Sequence, residues 1–262
     1  MIKLAASLSM MFAEHELLDR FEAAADAGFR GVELQRPYER ESSALAERLK
    51  RHGLVCVLIN APAGDAEAGE RGLACLPGRE PELERSLDVA LDYAAALGCE
   101  RIHCMAGVPP RDADPDRVRD TYIRNLKWGA RAAAARRVSL LIEPINTRDV
   151  PGYYLTRTDP ALAVIEQVGE PNLRLQFDVY HRQVMEGDIT RALERAWPRI
   201  GHIQIADPPG RHEPGTGEIN FATLFKRIEE LGYGGWIGCE YTPSAGTREG
   251  LAWAARFLAA TS

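Results

Sequence analysis

The stretch SLLIEPIN, Ser139–Asn146, decides the reading of this chain. Three apolar residues run straight into a carboxylate, Glu143, with none of the apolar–polar alternation of a half-exposed strand. A parallel strand covered on both faces is apolar along its length. A charged group at its end therefore needs a chemical reason. The same form recurs downstream. Asp178 lies near the end of LRLQFDVY (Leu173–Tyr180), Gln204 near the end of GHIQIAD (201–207), and Glu240 near the end of WIGCEY (Trp236–Tyr241).

Upstream of this stretch, further strands are read at Ile2–Leu8, Gly31–Gln35, Leu54–Ala61 and Arg101–Gly107, and the seventh strand spans Ile200–Asp207. Helical spacing falls between them, over Glu14–Ala27, Ser42–His52, Pro81–Leu97, Asp114–Arg136, Asp159–Val168, Ile189–Ala196, Phe221–Leu231 and Thr247–Ala260. Regular strand–helix alternation implies a parallel sheet with right-handed crossovers. Eight such units in 262 residues predict an α/β fold, a single (β/α)8 barrel occupying 1–262 as one domain. No linker-like run divides the chain, and no GxGxxG follows the first strand, so a nucleotide-binding open sheet is unsupported.

The formal net charge is −6. That argues against a nucleic-acid-binding surface, which needs a basic face. The five cysteines (Cys56, Cys75, Cys99, Cys104 and Cys239) are odd in number and form no CxxC pair, which reads as reduced, buried thiols in a cytoplasmic protein. No apolar run reaches the ~18 residues of a membrane span. The opening MIKLAASLSMMF is read as a strand, not a targeting segment, because Ser7 and Ser9 break its apolar character. Apolar helix faces such as Leu87–Leu97 are available for packing inside the barrel or in a homo-oligomer.

Barrel enzymes place their chemistry at the C-terminal ends of the strands. Glu143, Asp178, Gln204 and Glu240 all fall there, on four consecutive strands. Buried carboxylates close together repel one another and are costly without a cation. Three carboxylates and an amide oxygen are hard ligands, suited to Mg²⁺ or Mn²⁺. Arg71 and Arg211, in glycine-rich loops, are candidate grips for the carboxylate of a small anionic substrate, and His181 lies just beyond Asp178. His202 reads as a packed barrel histidine, and His103 as either packing or site. The long loops Ala61–Glu80 and Pro208–Asn220 are expected to close over the site.

These segments, with PAGDAEAGERGLACLPGRE and GTGEIN, resemble the hydroxypyruvate isomerase family of xylose-isomerase-like barrels along essentially the whole chain. A sister family, the 2-oxo-tetronate isomerases, is similar through LSMMF, HCMAGV and RHEP. The resemblance implies a divalent metal held by Glu143, Asp178, Gln204 and Glu240, with Glu143 and Glu240 as proton donor and acceptor. It also implies that His181 and Arg211 contact substrate oxygens, with Asn60 at the end of the third strand as a further substrate contact. The implied reaction interconverts hydroxypyruvate and 2-hydroxy-3-oxopropanoate through an enediolate. Ile59, before Asn60, departs from the histidine common in the hydroxypyruvate enzymes.

Overall fold

A computed structural model describes residues 2–65 and 67–259. Its strands are β1 (Lys3–Ser7), β2 (Gly31–Leu34), β3 (Val55–Asn60), β4 (Arg101–His103), β5 (Ser139–Ile142), β6 (Leu173–Asp178), β7 (Ile200–Ile205) and β8 (Trp236–Cys239). They form a closed barrel in sequence order, with β8 pairing in parallel onto β1. The helices are α1 (Arg20–Asp26), α2 (Ser42–His52), α3 (Glu80–Leu97), α4 (Pro115–Ala135), α5 (Thr158–Val168), α6 (Val179–Met185), α7 (Ile189–Ala196), α8 (Phe221–Glu230) and α9 (Ala255–Leu258). Local signals set several boundaries. The Asp114 side chain accepts the Asp116 N–H at the start of α4, and Gly53 and Gly98 end α2 and α3 in the left-handed conformation.

The main apolar core joins the outer face of the barrel to the helices. Ile59, Ile102, Ile142, Leu175 and Ile203 from the strands cluster with Leu45, Leu87, Leu126, Ile165 and Leu224 from the helices. The α3 residues Leu87, Ala90, Leu91, Ala94 and Leu97 belong to this core, so that face packs within the protein. A small separate cluster, Ala5, Val57, Leu58 and Leu141 with Trp236, comes mainly from alternate strands and fills the barrel interior. All five cysteines are free and buried.

Four sequence expectations are corrected. The later strands stop sooner than expected, at Ile142, Asp178, Ile205 and Cys239, although the Glu240 N–H still bonds the Ile205 carbonyl at 3.1 Å. In β5 the change follows from Pro144, which has no N–H to donate. The first helix begins at Arg20, not Glu14. Phe12 is left-handed (φ 57°) and donates its N–H to Thr247 Oγ1 at 2.8 Å, so residues 8–19 form turns held against the C-terminal segment. That segment is a 3-10 helix over Glu249–Ala254 followed by the short α9, and the expected helix end at Ala260 lies outside the described residues. A helix that was not expected, α6, follows β6 directly. The Asp178 carboxylate caps it by accepting the Tyr180 and His181 N–H groups.

Candidate active site

Glu143, Asp178 and Glu240 leave the ends of β5, β6 and β8 on the same side of the barrel, and His181 joins them from the first turn of α6. All four are buried, and each offers a ligand-type atom within 4.8 Å of the others. Asp178 divides its work. Oδ1 caps α6, while Oδ2 has no hydrogen-bond partner. Glu143 Oε1 is also buried without a partner. Two unpartnered carboxylate oxygens in one buried cluster suit a hard divalent cation, and this donor set can hold one.

The electrostatics agree. Burial, reinforced by Glu240 and Asp178, raises the Glu143 carboxyl well above its usual range. Burial pushes Glu240 up to about 8, although Arg211 opposes the shift. Like charges in a dry site hold protons until a cation replaces them.

Arg211 is the cation the fold itself supplies. Its Nη2 donates to Glu240 Oε2 at 2.6 Å, and its other contacts are Asp149 at 3.5 Å and Asp178 at 3.8 Å. The guanidinium lies 4.9 Å from the Tyr180 ring centroid, and the Arg211 backbone is left-handed (φ 55°). The loop that carries it is built around a buried carboxylate. Asp207 accepts the N–H groups of Gly215, Gly217 and Ile219 at 2.9, 2.9 and 3.0 Å. Glu213 then ties the loop to Ser244, accepting from both its N–H and its hydroxyl.

His181 is a hydrogen-bond donor despite its place in the cluster. The Asn146 backbone N–H, which can only donate, points at His181 Nδ1 at 3.3 Å, and the Asn146 side-chain amide lies 2.7 Å away. Nδ1 therefore accepts, and Nε2 of the neutral ring carries the proton. Burial pushes the ring down to about 4, so it is neutral at physiological pH. Nε2–H faces Asp178 Oδ2 at 3.7 Å. His103, the other buried histidine at this rim, is pushed down to about 3 by burial and lies 3.5 Å from Glu143.

Gln204 stands in register with Asp178, and its amide donates to Glu33 Oε2 at 2.9 Å and accepts from Gln176 at 2.6 Å. Asn60 is half-buried at the end of β3 in register with His103, and its carbonyl accepts the Tyr38 hydroxyl. Arg71 is exposed and donates to the adjacent Glu70 carbonyl, not to any group of the cluster. Its loop passes close to the end of β4. Gly72 bridges Ala106, and a Cβ on Gly72 would lie 2.4 Å from the Met105 carbonyl oxygen. His202 is packed in the barrel as expected. Glu33, Gln176, Asn146 and Asp149 were not anticipated, although a carboxylate between Val32 and Leu34 carries the same signal as Glu143.

A closed parallel barrel with buried, cation-competent carboxylates at its C-terminal rim defines a class of metal-competent acid–base barrels. The chain belongs to the xylose isomerase-like TIM barrel family, whose model matches residues 21–257. It is 54% identical to a 2-oxo-tetronate isomerase of Cupriavidus necator, over 98% of this chain and 99% of that protein. It is 47% identical to the hydroxypyruvate isomerase of Escherichia coli, over 97% and 98%. A crystal structure of a Brucella melitensis protein described as AP endonuclease, family 2 superposes with a TM-score of 0.96 at 44% identity, covering 98% of this chain and 99% of that one.

Proposed function

We propose that the protein is an aldose–ketose type isomerase that interconverts hydroxypyruvate and 2-hydroxy-3-oxopropanoate by proton transfer between adjacent carbons. The observation that carries this reading is the pairing of two buried glutamates, Glu143 and Glu240, both raised above the usual carboxyl range by burial, in one cation-competent cluster beside Arg211. Glu143, Asp178 and Glu240, with the Gln204 amide oxygen, are the residues that would hold a divalent cation, with Mg²⁺ or Mn²⁺ matching their hard oxygen donors. Such an ion supplies Lewis-acid stabilisation of negative charge on neighbouring oxygens.

The side chains of this chain divide the rest. One glutamate takes a proton from the hydroxymethyl carbon of hydroxypyruvate, leaving an enediolate. The other delivers a proton to the neighbouring carbon, and the hydroxyl proton moves to the former carbonyl oxygen. Positioned groups of this kind contribute about 10²–10⁴-fold each. His181 Nε2–H, neutral and oriented by Asn146, donates to a substrate oxygen without adding charge. Arg211 pairs with the substrate carboxylate, and Asn60 and Arg71 complete the set of proposed contacts. The fixed Asp207 loop supports a preset position for Arg211. The five free, buried thiols support a cytoplasmic location. No described helix is long and apolar enough to cross a membrane.

A second reading places the four-carbon 2-oxo-tetronate in the same site with the same chemistry. The 54% identity to an enzyme of that name and the presence of Ile59 before Asn60 favour it. A nuclease is disfavoured by the acidic chain and by a cluster with a single histidine. The test is kcat/KM of the Mn²⁺-loaded protein for each acid. A higher value for hydroxypyruvate supports the leading reading, and a tenfold preference for 2-oxo-tetronate replaces it with the second.

A further inference from the structure

Beneath the carboxylate rim, the barrel interior carries a polar network. Glu33 of β2 has 0% exposure. His202 Nε2 bonds Glu33 Oε1. The other Glu33 oxygen accepts from Gln204 Nε2 at 2.9 Å. On the far side, Gln204 Oε1 accepts from Gln176 Nε2 at 2.6 Å, and Gln176 lies on β6 two residues before Asp178. Residues from β2, β7 and β6 are thereby linked in a line that runs towards the active-site carboxylates.

The backbone makes room for Glu33 specifically. Gly238 of β8 stands in register with Gln204, and a Cβ there would lie 2.0 Å from Glu33 Oε1 and 2.5 Å from its Cδ. No side chain but hydrogen fits at residue 238 while Glu33 keeps its place.

The two ends of an amide are nearly the same size, so its neighbours decide which way it faces. A carboxylate accepts hydrogen bonds and therefore selects the nitrogen end. A cation demands the oxygen end. We infer that Glu33, seated in the space left by Gly238, is a positioning residue that acts through Gln204, holding the amide nitrogen down so that the oxygen faces the carboxylate side of the barrel. This rests on the metal reading given above. Groups that orient metal ligands typically change metal affinity about 10–100-fold when removed.

The experiment is calorimetric titration of Mn²⁺ into the metal-stripped full-length protein and three variants, with circular dichroism to confirm folding. Glu33→Leu, which removes the acceptor, weakens Mn²⁺ binding about 10–100-fold. Glu33→Gln, which can still accept through its own amide oxygen, recovers most of that loss. Gly238→Ala, which displaces the carboxyl without altering its chemistry, also weakens binding, and it decides the matter should Glu33→Leu not fold. Unchanged Mn²⁺ affinity in folded Glu33→Leu, or in folded Gly238→Ala where Glu33→Leu does not fold, overturns the inference while leaving the metal site standing. A parent protein that binds no Mn²⁺ overturns the metal reading and this inference with it.

Discussion

Metal binding at this site must be a competition with protons, and the structure sets its size. Burial holds Glu240 at about 8, so at neutral pH the metal-free side chain is largely protonated. It has to release that proton to become a ligand. Lowering the pH from about 8 to about 6 reduces the ionised fraction about 50-fold, which corresponds to ~2.3 kcal/mol of binding free energy. Glu143, held well above its usual range by burial and by Glu240, steepens the dependence. His181 at about 4 and His103 at about 3 are already neutral throughout this window and add nothing to it. The assay is Mn²⁺ titration calorimetry between these two pH values in buffers of different ionisation enthalpy, which counts protons released per ion. At least one proton is expected near pH 7, and Glu240→Gln should flatten the slope. Metal affinity that is independent of pH, with no proton released, would refute the reasoning.

Three further outcomes follow from the same geometry. Because the folded state holds the Glu240 proton more tightly than the unfolded chain does, the metal-free protein loses stability as pH rises from about 4.5 towards 8. Between about pH 6.5 and 8 the Glu240 shift alone removes ~1.6 kcal/mol, and His181 and His103, half protonated in the unfolded chain at about pH 6.5, each offset ~0.4 kcal/mol of it; the net loss of ~0.8 kcal/mol is read by urea denaturation and reversed by saturating Mn²⁺. Arg211→Ala should raise KM for hydroxypyruvate about 10–100-fold with a smaller change in kcat, since a charge-assisted contact of ~1.5–3 kcal/mol is lost. An unchanged KM would remove Arg211 from the substrate contacts. Asp207→Ala takes the acceptor from three loop N–H groups and should cost ~1–3 kcal/mol of stability by denaturant titration, with a raised KM as Arg211 loses its fixed position. Wild-type stability in that variant would show that the loop is held by something else.

Much of this was legible in the sequence because buried parallel strands have one strong signature. An apolar run that ends in a carboxylate is rare without a cause, and SLLIEPIN, LRLQFDVY and WIGCEY each announced both a strand and a carboxylate of the cation-competent cluster. What stayed hidden depends on long-range geometry. Asp178 marked the site, but its second role as the cap of α6 was masked by that assignment. Phe12 breaks the first helix through a bond to Thr247, distant in the sequence. Asp207 looked like the last residue of a strand, yet its carboxylate organises the loop beyond it. Gln204 was recognised as a polar residue in an apolar strand. That its amide is held by Glu33, in space opened by Gly238 on another strand, needs β2, β7 and β8 brought together by closure of the barrel.

The measurement that tests the central claim most directly is proton NMR of hydroxypyruvate in D₂O with the Mg²⁺-loaded protein. The account predicts conversion to 2-hydroxy-3-oxopropanoate with deuterium entering at the carbon that receives the proton, and loss of that exchange by ~10²-fold or more in folded Glu143→Gln and Glu240→Gln. Conversion with the hydroxymethyl hydrogen fully retained and no solvent deuterium incorporated, or undiminished exchange in both variants, would contradict it.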